Sequence, residues 1–109
     1  MNQIQTAYVK AKKQHDVLAA ELNRRIDALW ETEPARKEAS TGVLHIEEEL
    51  DYWPNYDKLL QAEADLLGWG HEQAKTDPRY AKNQAVLERV FAHPKARDGV
   101  IAICLKLTP

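Results

Sequence analysis

Apolar or near-apolar side chains recur at Ile4, Tyr8, Ala11, His15, Leu18, Leu22 and Leu29, in steps of 4, 3, 4, 3, 4 and 7 residues. That spacing is a heptad seam, and no glycine or proline interrupts it, so it predicts one helix from Gln3 to about Glu31. Ile26 lies beside the seam, and Val17, Ala19 and Ala20 are expected to widen it into a broader buried stripe. At 1.5 Å per residue such a helix is roughly 42 Å long. A compact body of this chain length is only about 30–35 Å across, so part of the seam is expected to overhang. Two arrangements would keep it dry: a long antiparallel hairpin with the segment around residues 55–75, or contact with the same helix of a second chain. We expect a homodimer on that ground.

Four internal prolines, Pro34, Pro54, Pro78 and Pro94, divide the chain into five segments, each followed by helix-forming residues. Proline suits the first turn of a helix, disrupts its interior and pushes the preceding residue out of the α region. The second segment keeps helical spacing at Ala35, Ala39, Val43, Ile46, Leu50 and Trp53. Gly42 sits inside that stripe. It permits either one continuous helix or a break with Ser40 or Thr41 as a new cap. The third segment offers Asn55 as cap and Asp57 for the helix dipole, carries Leu59, Leu60, Leu66 and Leu67, and is interrupted or ended by Gly68-Trp69-Gly70. Asp77-Pro78 is the clearest start signal, leading to a core stripe of Val86, Leu87, Val90 and Phe91. The last segment places Val100, Ile103, Cys104 and Leu107 on one face of a helix. Its competitor is a strand after Asp98-Gly99, paired with residues 42–46. The predicted fold is all-α, a single domain built as an irregular bundle of four to five helices with a long N-terminal helix.

Charge refines this picture. The net charge of −2 conceals +2 over residues 1–30, −8 over residues 31–72 and +4 over residues 73–109. Helices with complementary solvated rims would produce that pattern, as would an acidic surface for a basic partner or a cation. No apolar run approaches the roughly 20 residues needed to cross a bilayer, so no membrane partner is expected. The N-terminal residues lack the charged and apolar regions of an export signal, and one cysteine cannot form a disulfide, so a cytoplasmic protein is expected.

Candidate chemistry is sparse. His45 with Glu48 and Glu49 shares a helix face, a spacing that suits a weak metal site joining imidazole and carboxylate. The Glu-x-x-His pattern of di-iron bundles is absent from the sequence. Ser40 lacks a nucleophile elbow, and Cys104 lies in an apolar run where a thiol behaves as a small hydrophobe. Four glycines provide no phosphate loop. No cofactor and no enzymatic reaction is expected. Lys10, Lys12, Lys13, Arg24 and Arg25, with Arg79, Lys82, Arg89, Lys95 and Arg97, would have to share one surface to follow a nucleic acid. Without a helix-turn-helix pattern, nucleic acid is not the favoured partner. The aromatic residues are more informative. Trp53, Tyr56 and Trp69 are candidates either for plugging helix corners or for anchoring a partner. His15, within the seam, is a candidate pH-sensitive contact, since protonation would place a charge there. The expected function is that of a non-enzymatic helical interaction or regulatory protein, with the metal or ligand module and the nucleic-acid accessory protein as alternatives.

Overall fold

The computed structural model describes residues 1–32 and 37–109. Five helices form there: α1 (Gln3–Thr32), α2 (Lys37–Glu49), α3 (Tyr52–Ala74), α4 (Gln84–Ala92) and α5 (Arg97–Lys106). Short 3-10 turns, Ala81–Asn83 and Pro94–Ala96, lead into α4 and α5. Among the described residues there is no strand, and the long N-terminal helix is present as the heptad pattern predicts. Pro34 and Ala35 lie outside the described residues.

The α1 helix opens on a reciprocal cap. The Gln5 backbone N–H donates to Asn2 Oδ1 at 2.8 Å, and the Asn2 N–H donates to Gln5 Oε1 at 2.9 Å. This is the logic of a capping box with amide side chains in both roles. At the far end of the second segment, Gly42 does not break α2. A Cβ at Gly42 would meet Leu29 Cδ2 at 2.8 Å, so the glycine gives α1 room against α2. Two residues, Leu50 and Asp51, join α2 to α3, and Asp51 takes the left-handed conformation at φ 51°. Aspartate tolerates that region better than most side chains.

Three predicted boundaries are corrected. The α3 helix begins at Tyr52 rather than Asn55, with Pro54 in its first turn; Asn55 Nδ2 donates to the Asp51 carbonyl at 2.8 Å instead of capping. Gly68-Trp69-Gly70 neither interrupts nor ends α3, which continues to Ala74. Gly70 is there for packing, because a Cβ would overlap Cys104 Sγ and lie 2.9 Å from Cys104 Cβ. Finally, Asp77-Pro78 starts only an isolated turn. The Asp77 carboxylate is taken by the Arg79 N–H at 2.8 Å and by the Arg79 guanidinium, and α4 is capped six residues later by Asn83, which accepts from the Val86 N–H. The 99–107 run is helical through Lys106, not a strand. Asp98 in its first turn and Lys106 in its last suit the helix dipole, and burial outweighs the strand preference of its branched side chains.

The chain divides into two compact units, Met1–Val9 with Leu60–Pro109, and Lys10–Leu59. In the first, Leu66, Ala74, Leu87, Val100, Cys104 and Leu107 are buried, with Trp69, Tyr80, Phe91 and Ile103 packed against Ala74, Leu87 and Leu107. Gln5, only 1% exposed, donates from Nε2 to the carbonyls of Cys104 and Leu107, both at 2.9 Å. One side chain thereby caps the start of α1 and satisfies carbonyls that the end of α5 leaves without helical partners. In the second unit, α1 runs antiparallel to α2, with Arg25 against Glu49 and Leu29 against Gly42.

Candidate interaction surfaces

In the Lys10–Leu59 unit the start of α3 presents four rings together. Tyr52 and Tyr56, one turn apart, stack at 10° between planes. Trp53 meets both edge-on, with centroids at 5.1 and 5.7 Å. The His15 ring lies 5.5 Å from each tyrosine. The Trp53 indole N–H donates to the Glu47 carboxylate, which fixes the ring from the α2 side. Edge-to-face packing of this kind is favourable beyond the area it buries. Trp53 is nevertheless 52% exposed. The structure thus brings Trp53 and Tyr56 together with His15, a grouping that sequence spacing did not reveal because it depends on α1 crossing the α2–α3 junction. His15 Nδ1 is buried there without a hydrogen-bond partner. Trp69 is in the other unit, half-buried against Ala74, Leu87 and Leu107.

The heptad seam is partly covered. Tyr8 and Leu22 are buried, and Ile4, Ala11, His15, Leu18 and Leu29 are half-buried. Val17 does not widen the stripe; it points outward at 63% exposure. The large apolar side chains left exposed in this unit are Val17, Trp30, Leu44 and Trp53, off the seam.

Around α2, His45 Nε2 pairs with Glu49 Oε1 at 3.0 Å, and Arg25 pairs with Glu49 at 3.2 Å and with Glu21 at 2.9 Å. Arg24 also binds Glu21, and the two guanidinium groups hold the Glu21 carboxyl down to about 2. Glu49 is therefore engaged by a cation, and Glu48 has no ion-pair partner among the described residues. No group of three or more His, Cys, Asp or Glu among the described residues is placed to hold a metal ion.

The other unit carries a groove that the sequence reading missed. On α4, Leu87 is buried and Phe91 packs on the core, whereas Val86, assigned to the same core stripe, is 42% exposed. Val86 and Val90 instead line an open groove of about 540 Å³ with Arg89, His93, Lys95 and Ala96. A shallower concavity of about 190 Å³ shares both valines and adds Arg79 and Lys82. Two of the nearby cations are already engaged, Arg79 by Asp77 and Arg97 by Glu63. Glu88, on the same helix, binds His71 Nε2 at 2.9 Å. Lys82, Arg89 and Lys95 have no carboxylate partner among the described residues, and all three line the grooves. The available signal was the second apolar flank of α4, Val86 and Val90 four residues apart, interleaved with Arg89.

Cys104 is fully buried, and burial pushes its thiol up to about 11, so it is protonated and inert at neutral pH. No described helix is long and apolar enough to cross a membrane. Comparison with protein-family models, curated proteins and solved structures finds no match to this chain.

Proposed function

We propose that this chain is a non-enzymatic helical interaction protein that acts through its helix surfaces as a cytoplasmic homodimer. The observation that carries this reading is the state of Trp53: its ring is fixed by Tyr52, Tyr56 and Glu47, yet half of it faces water. A large aromatic surface held in place before contact loses little side-chain entropy on binding, which is why such residues anchor interfaces. Exposed Val17, Leu44 and Trp30 in the same unit add apolar area that a partner would cover. A second copy is the partner proposed, with contact through these residues, which are more exposed than those of the partly covered seam.

Light scattering across a concentration series tests the assembly. The expected result is a mass rising towards twice the 12.5 kDa of one chain. A constant monomer mass at high concentration would remove the homodimer. Trp53→Ala is expected to weaken association while changing stability by less than about 1 kcal/mol, against the 3–5 kcal/mol typical of a buried tryptophan. A large fall in melting temperature would instead make Trp53 a corner plug.

A further inference from the structure

We infer that the α4 groove is the counter-surface of this homodimer, and that it receives the exposed face of α2 from the second copy. The inference rests on the homodimer proposed above and adds where the two copies touch. Three observations meet in it. The apolar lining of the groove is Val86, Val90 and Ala96, and the groove is open to solvent. Openness suits a helix laid into it better than a small ligand, which a binding pocket normally encloses. The cations lining it that lack ion-pair partners are Arg89 and Lys95, Lys82 lines the adjoining concavity, and no carboxylate lines either.

The face that fits these features is present on the same chain. Leu44 is 61% exposed on α2, and Glu48 follows one turn later on the same side. Glu48 is exposed and without an ion-pair partner, whereas its neighbours are committed, Glu47 to Trp53 and Glu49 to Arg25 and His45. An apolar side chain with a free carboxylate one turn away matches an apolar floor with free cations at its edge. Leu44 lies on Val86 and Val90, and Glu48 reaches Arg89 or Lys95. Charge complementarity of this kind sets orientation and excludes wrong partners, and the apolar contact supplies the desolvated centre. Trp53, tied to α2 through Glu47, is carried on the edge of the same face.

The test is a charge reversal and its compensation, followed by light scattering or sedimentation. All the altered side chains are exposed and outside the core, so the variants are expected to fold, which helical circular dichroism and melting verify. Arg89→Glu combined with Lys95→Glu should weaken self-association at least about ten-fold, by placing like charges opposite Glu48. Adding Glu48→Lys to that pair should recover most of the loss. Val86→Asp should also weaken association, by placing a carboxylate against Leu44; unchanged association would overturn the groove as the contact. If the wild type associates and the double reversal associates equally well, the groove is not the contact, although the homodimer stands. Failure of the triple variant to recover overturns the α2 assignment in the same way. A wild type that stays monomeric removes the homodimer itself.

Discussion

The two units use their apolar side chains in different ways. The unit formed by Met1–Val9 and Leu60–Pro109 buries Tyr8, Leu66, Ala74, Leu87, Val100, Cys104 and Leu107 around a buried amide, Gln5. Large apolar side chains stay exposed in both units, Met1, Val9, Leu60 and Val86 in the first and Val17, Trp30, Leu44 and Trp53 in the second. In the Lys10–Leu59 unit the buried set among the described residues is only Leu22 and Leu59. Its polar contacts are exposed ion pairs such as Arg25–Glu49 and His45–Glu49, each worth little on its own. One unit is held by close packing and a hydrogen-bond clasp; the other buries fewer side chains and relies more on exposed ion pairs. Substitutions in the core of the first should therefore register as larger losses of stability than substitutions in the second, and exposed substitutions in either as lost association.

The largest expected effect is at Gln5. Gln5→Leu removes the side-chain half of the reciprocal cap, the Gln5 Oε1 acceptor of the Asn2 N–H, and leaves the Cys104 and Leu107 carbonyls without a donor in a buried setting. A lost cap costs about 1 kcal/mol and each unsatisfied buried carbonyl about 1–3 kcal/mol, so a destabilisation of roughly 3–4 kcal/mol is expected in chemical denaturation. A loss below about 1 kcal/mol would mean that the clasp does not distinguish the units. Gly70→Ala comes next. Its new methyl group would overlap Cys104 Sγ, and overpacking of that kind costs typically about 1–3 kcal/mol. Removing the sulfur with Cys104→Ala in the same chain should recover part of the loss; no recovery would place the strain elsewhere.

Alkaline pH probes the same contact without a new side chain in α3. Cys104 keeps its proton up to about 11 in the folded chain, because burial disfavours the thiolate. The unfolded chain releases that proton near the ordinary thiol value, so the folded state holds more protons between the two. Stability from this group is complete below the ordinary value and is lost as pH rises through about 11. Wild type should lose on the order of 1–2 kcal/mol more than Cys104→Ala over that range. Parallel pH profiles would show that the thiol is not desolvated.

What was legible in the sequence follows the range of the interactions concerned. Heptad steps place Tyr8 and Leu22 on a covered face of α1, and the Val100–Cys104–Leu107 spacing gives the buried face of α5, because both patterns repeat within one helix. The Asn2–Gln5 cap was not read from the sequence, although its three-residue spacing is a local signal, and the bonds from Gln5 to carbonyls about a hundred positions away have no local signal at all. Asp77-Pro78 misleads because Asp77 does accept a cap-type bond from the Arg79 backbone N–H, but the turn it opens passes into the Ala81–Asn83 3-10 helix, and α4 is capped afresh by Asn83. The groove escaped notice for a related reason. Val86 and Val90 look like core by spacing, and only the settled positions of Leu87 and Phe91 show which flank of α4 is turned inward. Likewise, the free charges of Lys82, Arg89 and Lys95 emerge only once Glu63 and Glu88 are seen to be engaged elsewhere.

The smallest effect is the most discriminating about how glycine is used in α3. Gly68 and Gly70 are two residues apart in one helix, so sequence alone gives both the same meaning, a weak point or an end. Nothing lies within 4 Å of a Cβ built at Gly68, whereas the equivalent atom at Gly70 runs into Cys104. Gly68 therefore carries only the entropic disadvantage of glycine in a helix. Replacing it with alanine restricts the unfolded chain and meets no neighbour, so Gly68→Ala should raise stability by about 0.5–1 kcal/mol. The opposite signs of the two substitutions, measured in the same denaturant series, separate a glycine needed for close approach from one that is merely tolerated. If both destabilise, α3 has an unrecognised neighbour at Gly68. If both stabilise, α3 and α5 do not approach as closely as the Gly70–Cys104 contact requires, and the tightly cored half of the comparison fails.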